Sequence, residues 1–257
     1  MSHHIIEVKN LDYVYPDGKQ ALKNISFRVT HGESVGIIGL NGAGKSTLLM
    51  HLNGVLFPTR GEVSIGEVAV HKSTLPEIRR HVGFIFQNPD DQLFMSTVYD
   101  DVAFGPRNYK LTENEVEKRV LSALDTVGIA HLRDRPPYKL SEGEKRSAAI
   151  ASILSMSPDI LVMDEPSSSL DPGSRRRLIK LLHSFKHTRI IASHDLDMVL
   201  EICERTIVIK GGEILADDST LKIFKNEELL TISGLEKPFC MQQCPVCSAG
   251  KGGLRPV

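Results

Sequence analysis

Residues 39–47, with the sequence GLNGAGKST, constrain the fold of this 257-residue chain more than any other segment. They match the pattern G-x-x-x-x-G-K-[ST], in which glycines let backbone NH groups wrap around phosphate groups without Cβ clashes. An apolar run, SVGIIG, precedes the loop and a helical pattern follows it, so the helix dipole would point at a bound anion. The segment therefore predicts a nucleotide site between a buried strand and a helix.

The side chains of this loop have separate expected roles. We expect Lys45 to bridge the β and γ phosphates and Ser46 to bind Mg²⁺ through its hydroxyl, with Thr47 adding a phosphate contact. The preceding loop residues would contact ATP mainly through their backbone; they are Gly39, Leu40, Asn41, Gly42, Ala43 and Gly44. The flanking strand and helix argue against the alternative, a chance glycine loop.

The remaining pattern predicts an α/β fold. Strand-like runs such as DILVMDEP and TRIIASHD alternate with helical runs such as SRRRLIKLLHSF, which favours a mostly parallel sheet covered by helices. Short alternating segments over the first 35 residues predict strands there. From Asn88 to Pro158 the pattern becomes helical, with one apolar face at Val116, Val120, Leu124 and Val127 that we expect to pack in the core.

Composition narrows the classes of partner. The formal net charge is −1, with 41% hydrophobic and 25% charged residues, so there is no general positive field for nucleic acid. No apolar run reaches the roughly 18 to 20 residues of a membrane helix, and the first residues lack the regions of a signal peptide. We therefore expect a cytosolic chain that binds no nucleic acid.

Five further residues near predicted strand ends are candidate site residues. Asp164 follows four apolar residues and is the expected Mg²⁺ ligand, and Glu165 would polarise the attacking water. His194 and Gln87 also follow strands; we expect a γ-phosphate contact from the histidine and an amide contact to Mg²⁺ or water from the glutamine. Tyr15 would stack on the base, although a core tyrosine remains an alternative. A purely structural role remains the alternative for His194.

The segment KLSEGEKRS is typical of the start of a helix, except for its glycine. Ser141 followed by Glu144 is a capping box, in which each side chain satisfies a backbone NH of the first turn. Gly143 is not explained by capping, because glycine in a helix costs about 1 kcal/mol relative to alanine. We infer that something needs close access to the backbone there.

In combination these motifs resemble the ATP-binding cassette (ABC) ATPases over about residues 5–220. The phosphate loop, Gln87, LSEGE, ILVMDEP, SSLD and His194 occur in the order of that family. The resemblance implies a P-loop core with a mostly parallel sheet, an N-terminal antiparallel β subdomain and an inserted helical subdomain at about 88–158. Residues 221–257 would form a C-terminal extension.

The resemblance also implies a dimer with shared ATP sites. In this family two copies pack head to tail, and the segment matching LSEGE in one copy completes the ATP site of the other. Ser141 and the backbone NH of Gly143 would then face the partner's γ-phosphate, with Glu142 and Glu144 in the same segment. Asp171, which ends SSLD, would lie in a loop at the dimer interface. A homodimer and a pair with a related cassette both remain open.

The segment departs from the family's usual LSGGQ at its third and fifth positions, Glu142 and Glu144. Glu144 can close the capping box as glutamine would. Glu142 placed about 8 Å from the γ-phosphate would oppose binding by roughly 2 kcal/mol at an effective dielectric near 20. We expect it to point into solvent, where the effect is much smaller.

A finer resemblance concerns the transport system. The stretches YPDGKQALKNISF and FQNPDDQLFMSTVYDDVAFGPRN are similar to the ATPase subunits of cobalt and nickel importers and of energy-coupling-factor transporters. This implies a peripheral subunit on the cytoplasmic face of the cell membrane, bound to membrane subunits through a groove lined by NPDDQLF, with Phe94 as an apolar contact. The alternatives are a soluble ABC ATPase acting on nucleic acid or ribosomes, and a P-loop kinase.

Three cysteines crowd the C-terminus with the spacing C-x₃-C-x₂-C: Cys240, Cys244 and Cys247. They would hold Zn²⁺ or an iron–sulfur cluster only with a fourth ligand from elsewhere. We favour an unligated tail with exposed thiols. The cofactors expected from the other motifs remain ATP and Mg²⁺.

Overall fold

The computed structural model describes residues 6–242 of the chain. Its strands are β1 (Ile6–Val14), β2 (Gln20–Val29), β3 (Ser34–Ile38), β4 (Arg60–Ile65), β5 (Val68–Ala69), β6 (Val82–Ile85), β7 (Ile160–Asp164), β8 (Thr188–Ala192), β9 (Arg205–Lys210) and β10 (Glu213–Ser219). Its α-helices are α1 (Lys45–Leu52), α2 (Leu75–His81), α3 (Val98–Asn108), α4 (Glu113–Val127), α5 (Glu142–Leu154), α6 (Pro172–Ser184), α7 (Leu196–Ile202), α8 (Thr220–Lys225) and α9 (Glu227–Ser233).

Six strands form the central sheet in the order β10-β9-β3-β8-β7-β6. All neighbouring pairs from β9 to β6 are parallel, and only β10 pairs antiparallel with β9. The carboxyl ends of β3, β6, β7 and β8 therefore meet at one edge, the edge where open α/β sheets bind ligands. This topology brings together four segments that are distant in the sequence.

The first 70 residues contribute a second sheet with the order β2-β1-β4-β5, in which every neighbouring pair is antiparallel. Its inward residues, including Leu11, Leu22 and Ile25, are fully buried and share one apolar core with β3 and α1. The second sheet thus packs beside the phosphate loop, and Gln20, Ala21 and Lys23 of β2 share one cavity with it.

Between β6 and β7 the chain forms the helical insertion, in which α3, α4 and α5 pack against one another. The predicted apolar face of α4 is buried, as Val116, Val120 and Leu124 are fully inaccessible. Thr112 and Glu115 close a capping box at its start, and Gly128 ends it in the left-handed conformation. The predicted α/β fold, with its mostly parallel sheet, antiparallel N-terminal sheet and helical insertion, is confirmed.

The last described helices return to the central sheet. Ile223 and Phe224 of α8 and Leu230 of α9 are buried in the same core as the helical insertion. The domain division at residue 220 remains a prediction from sequence. Among residues 6–242 no helix is long and apolar enough to cross a bilayer.

Candidate functional site

A cavity of about 340 Å³ lies at the carboxyl edge of the central sheet. The predicted site residues that line it are Tyr15, Asn41, Gly42, Gly44, Lys45, Ser46, Thr47, Gln87, Glu165 and His194. These residues come from five separate segments of the chain, and the sheet topology alone brings them to one place.

Two glycines of the loop are required by close backbone approach. A Cβ on Gly39 would lie 2.2 Å from the carbonyl oxygen of Ile209 in β9. Gly44, the N-cap of α1, has φ +109°, and a Cβ there would lie 2.8 Å from the carbonyl oxygen of Ala21. A side chain at either position would require the neighbouring strand to move. L-residues also avoid these φ values.

Lys45 is held at the centre of the loop. Its ammonium donates to the carbonyl oxygens of Gly39 and Leu40 at 2.9 and 3.2 Å and to His194 Nε2 at 3.1 Å. The side chain is 6% exposed, and burial lowers its pKa while the charges of Glu165 and Asp164 oppose this effect. The loop therefore holds a buried cation that phosphate oxygens can neutralise.

Tyr15 follows the last residue of β1 and lies beside the loop. Its hydroxyl and that of Thr47 form a hydrogen bond of 2.9 Å, and its ring meets Tyr13 edge to face at 4.9 Å between centroids. The residue is half-buried and lines the cavity. It thus has both a packing contact and an open face, and its role in base stacking stays a prediction.

The expected Mg²⁺ ligands fit a hard cation. Asp164 ends β7, is 2% exposed, and its Oδ1 has no hydrogen-bond partner among the described residues. Burial raises the pKa of this carboxyl, and a hydrogen bond from Ser46 and the charge of Lys45 oppose the rise. A carboxylate oxygen without a partner beside a hydroxyl is the oxygen-donor set that Mg²⁺ prefers. The described residues contain no cluster of three His, Cys, Asp or Glu side chains suited to a metal.

Glu165 lies next to Asp164 in a strained backbone conformation. Its φ is +48°, which is uncommon for a residue with a side chain, and its side chain lines the cavity. Oε2 accepts a hydrogen bond of 3.0 Å from the backbone NH of His194. Burial raises the pKa of Glu165, and that NH bond and the charge of Lys45 oppose the rise. A buried carboxylate with a raised pKa has the character of a general base.

His194 follows β8 and reaches the same point. Because the Lys45 ammonium can only donate, His194 Nε2 accepts in their 3.1 Å contact. The 3.4 Å approach between Nε2 and Glu165 Oε1 is therefore not a hydrogen bond. The imidazole is exposed and lines the cavity, and its contact with the γ-phosphate stays a prediction.

Gln87 lies two residues beyond β6, and its side chain is exposed at the cavity. Its backbone carbonyl accepts a hydrogen bond from Arg146 of α5, and the carbonyl of Phe86 accepts another from the same guanidinium at 2.7 Å. The helical insertion thus contacts the strand end that carries Gln87.

Several residues that line the cavity belong to none of the sequence motifs. Gly211 and Gly212, in the turn between β9 and β10, line the cavity, and the Gly212 NH donates to the Ala43 carbonyl at 3.0 Å. Lys19, in the turn before β2, and Lys23, in β2, also line the cavity. The two lysines in KQALK give a weak signal for an anion site, whereas nothing in GG predicts contact with a loop 170 residues away.

The segment LSEGE lies elsewhere. Ser141 is the N-cap of α5, and the predicted capping box is confirmed: the Ser141 NH donates to Glu144 Oε2 at 2.7 Å and the Glu144 NH to Ser141 Oγ at 3.3 Å. The Ser141 NH and the Ser141 hydroxyl both donate to this carboxylate, and they lower the pKa of Glu144. Glu142 is exposed and pairs with Lys145 at 3.2 Å. None of these residues lines the cavity of their own chain.

Asp171 is the N-cap of α6 and accepts hydrogen bonds from the NH groups of Gly173 and Ser174 at 2.9 and 3.0 Å. The Ser174 hydroxyl, which also donates to this carboxylate, and these two NH groups lower the pKa of Asp171. Within the chain, then, Asp171 caps the start of α6. Its contact with a partner stays a prediction.

Of the three tail cysteines only Cys240 is within the described residues. It is exposed, and its NH donates to Asp197 Oδ1 of α7 at 2.9 Å. Cys244 and Cys247 lie outside the described residues. Cys203 of the core is buried, and burial raises the pKa of its thiol to about 12.

Comparisons with known proteins identify the family. A family model described as "ABC transporter" matches residues 22–168. A putative ABC transporter ATP-binding protein of Geobacter sulfurreducens is 63% identical over 247 residues, covering 96% of this chain and 99% of the relative. The energy-coupling factor transporter ATP-binding protein EcfA of Methanothermobacter thermautotrophicus is 48% identical over 239 residues, covering 91% of this chain and 77% of the relative.

Solved structures agree with the sequence relatives. The structure of cbiO1 from Clostridium perfringens, described as part of the ABC transporter complex cbiONQ, has a TM-score of 0.77 and 39% identity and covers 90% of this chain and 94% of that one. A dimeric ATP-binding cassette, MJ0796, in a post-hydrolysis state bound to ADP and Pi, has a TM-score of 0.78 and 29% identity, covering 84% and 98%. The chain therefore belongs to the ABC transporter family and is one of its ATP-hydrolysing, ATP-binding subunits.

Proposed function

We propose that the protein drives a membrane importer of the energy-coupling-factor type by hydrolysing ATP at two sites shared between paired chains. The observation that carries this proposal is the separation of LSEGE from the cavity of its own chain. A Cβ on Gly143 would meet nothing closer than 3.9 Å, so packing within the chain does not require glycine there. A phosphate approaching from a second chain accounts for it.

Within each shared site the residues have distinct proposed roles. Lys45 gives up its carbonyl partners to bind phosphate oxygens, and the start of α5 in the partner adds backbone NH groups to the terminal phosphate. Ser46, Asp164 and Gln87 would hold Mg²⁺, which neutralises phosphate charge when bound. Glu165 would accept the proton of the attacking water, and His194 would contact the γ-phosphate.

Complementation between two inactive variants tests the shared sites. Lys45→Ala disables the phosphate loop and Ser141→Arg blocks the start of α5, so we expect each variant alone to lack ATPase activity. Half of the randomly assorted dimers in an equal mixture are mixed, and each mixed dimer has one intact site, so activity should return to about a quarter of wild type. An inactive mixture would contradict the shared site.

A control pair uses Lys45→Ala with Glu165→Gln. Both changes damage the same half of the site, so every mixed dimer has two damaged sites and no activity should return. Recovery in this pair would mean that the two residues act in different half-sites.

An apolar groove is consistent with the proposed membrane partner. A cavity of about 540 Å³ separates the helical insertion from the N-terminal part of the core; its aromatic and sulfur-bearing lining is Phe84, Phe86, Phe94, Phe104, Tyr109 and Met156. Phe94 and Phe104 are 64% and 42% exposed and meet edge to face at 4.9 Å. Exposed aromatic pairs are typical of protein interfaces. This groove favours a membrane subunit over the soluble ABC ATPase.

The transported solute is proposed from the sequence resemblance to cobalt and nickel importers, and the relatives support only a transporter role. EcfA and the cbiO1 component of cbiONQ are similar to this chain, and both descriptions name transporter components. We propose cobalt, nickel or another micronutrient as cargo and the cytoplasmic face of the membrane as the location. Uptake assays with radiolabelled cobalt and nickel in cells that express the complete transporter would test the cargo; no difference from a Glu165→Gln transporter would contradict it.

A further inference from the structure

Arg146 is a buried cation to which the proposed roles assign no task. It lies five residues after Ser141 on α5 and is 3% exposed. Burial lowers the pKa of its guanidinium, and the nearby charges of Asp164, Glu142 and Glu165 oppose this change. A buried arginine is costly unless its donors are used, so its hydrogen bonds indicate its purpose.

Those hydrogen bonds go to two consecutive carbonyls. Nη1 donates to Phe86 and Nη2 donates to Gln87. The β6–β7 ladder ends at Ile85 and Met163, so both carbonyls lie beyond it, and the guanidinium fork supplies their donors. The backbone that aims Gln87 into the nucleotide cavity is therefore held by a side chain of α5.

No residue in the first turn of the same helix lines this cavity. Along an α-helix five residues span about 7.5 Å, so Arg146 and Ser141 belong to one rigid segment. Lys145 reinforces the connection from the exposed side, because its ammonium lies 2.9 Å from Asp90 and 3.2 Å from Glu142. A displacement of the start of α5 is thus transmitted to the segment that carries Gln87.

We propose that Arg146 is a positioning residue that couples Gln87 in one nucleotide cavity to the start of α5, which serves the other cavity. The two ATP sites of a dimer would communicate through this contact. The inference rests on the proposed role of Gln87 and on the shared sites. Arg146 itself contacts no nucleotide in this scheme.

A double-mutant cycle tests the coupling. Arg146→Met removes both donors while keeping an unbranched apolar side chain, and we expect a kcat about tenfold lower and a higher Mg²⁺ concentration at half-maximal ATPase activity. In a Gln87→Ala background the same change should lower kcat by no more than about twofold, because the side chain it positions is gone. A purely structural residue would give the same loss in both backgrounds.

Two further variants complete the test. Arg146→Lys keeps the charge but cannot hold two carbonyls in a fixed fork, so its kcat should lie between those of wild type and Arg146→Met. If Arg146→Met does not fold, the cycle is made with Arg146→Lys. The matched control is Arg119→Met, because Arg119 also donates to two consecutive carbonyls, of Ser155 and Met156, away from the cavity. It should leave kcat and the Mg²⁺ dependence unchanged.

The outcomes separate this inference from the proposed function. Equal losses for Arg146→Met with and without Gln87 overturn the coupling and leave the role of Gln87 intact. Wild-type activity and Mg²⁺ dependence in Gln87→Ala overturn both that role and the coupling, while complementation between Lys45→Ala and Ser141→Arg still decides the shared site.

Discussion

Glu165 is the residue on which turnover should depend most directly. Glu165→Gln keeps the shape of the side chain and its hydrogen bond from the His194 NH, so ATP binding should be unchanged. Loss of a general base should slow hydrolysis by at least about 100-fold. Equilibrium binding of a fluorescent ATP analogue and single-turnover hydrolysis measure the two quantities. Hydrolysis near the wild-type rate would move the role of base to another residue.

Asp164 should lower the stability of the nucleotide-free protein at neutral pH. Burial raises the folded-state pKa above the unfolded value of about 3.9, so the folded carboxyl binds its proton more tightly. Stability from this group is therefore present below about pH 4 and is lost as pH rises through the folded pKa. Asp164→Asn should raise the free energy of unfolding at pH 7.5, with the gain shrinking toward pH 4.

Urea unfolding at several pH values measures this effect, with Asp125→Asn on the exposed side of α4 as the control. Magnesium and ATP together should stabilise the wild type more than Asp164→Asn, because the variant lacks the charged ligand. A variant that is less stable at pH 7.5, or equally stabilised by MgATP, would contradict the assignment.

Glu142 tests the departure from LSGGQ. Its carboxylate is exposed and pairs with Lys145, which also pairs with Asp90, so its charge is partly neutralised and screened. Glu142→Gly should therefore change ATP-driven dimerisation by less than about tenfold, below the roughly 2 kcal/mol expected for an unpaired charge at 8 Å. Light scattering of the hydrolysis-deficient protein over a range of ATP concentrations measures it. A much larger gain in dimerisation or ATPase activity would place the carboxylate against the phosphate.

Residues of the site that follow predicted strands could be identified from the sequence, whereas a residue that acts through a distant hydrogen bond could not. Lys45, Gln87, Glu165 and His194 follow strand ends, so the rule for parallel sheets was enough to group them. Arg146 could not be found in this way, because its role depends on a turn of helix meeting two carbonyls 60 residues earlier. Side-chain-to-backbone bonds between distant segments leave no periodic signal.

At the scale of elements, one substitution at the start of α5 should raise the stability of the monomer and weaken its dimerisation. Gly143→Ala meets no atom within 3.9 Å in the same chain and improves helix propensity, so the monomer should gain as much as about 1 kcal/mol in its free energy of unfolding. The added methyl group would obstruct a phosphate from the partner, so ATP-driven dimerisation should weaken at least about tenfold. Thermal unfolding and analytical ultracentrifugation measure the two effects.

Asn114→Ala provides the matched control, since Asn114 has the same position in α4, the other helix with a capping box in this insertion. It should stabilise the monomer and leave dimerisation unchanged. Wild-type dimerisation by Gly143→Ala would leave the glycine unexplained and remove the main support for a shared site.

The elements themselves were predictable to the extent that their signals are local. The stripe from Val116 to Val127 and the capping box at Ser141 follow directly from spacing, and both are present. The contact of the β9–β10 turn with the phosphate loop was not predictable, because it depends on a strand order in which β9 lies beside β3. Strand order is set by packing of the whole sheet rather than by any one segment.

At the scale of the whole molecule, the nucleotide site and the proposed contact with a membrane subunit lie on separate surfaces. The nucleotide cavity lies at the carboxyl edge of the sheet, whereas the aromatic groove lies between the core and the helical insertion. Helix α5 belongs to both regions, since Arg146 reaches the strand end of Gln87 and Ile153 lines the groove. A membrane subunit in the groove would therefore contact the helix that we propose completes the partner's ATP site.

This separation gives a prediction for Phe94, which is 64% exposed in the groove. Phe94→Ser should remove an apolar anchor and abolish co-purification with the membrane subunits, while the isolated protein keeps its ATPase activity and melting temperature. Phe239→Ser is the control, because Phe239 is 81% exposed but lies outside the groove. It should leave co-purification intact. Equal losses in both variants would indicate general adhesion of exposed aromatic rings, and no loss in either would place the membrane contact on another face.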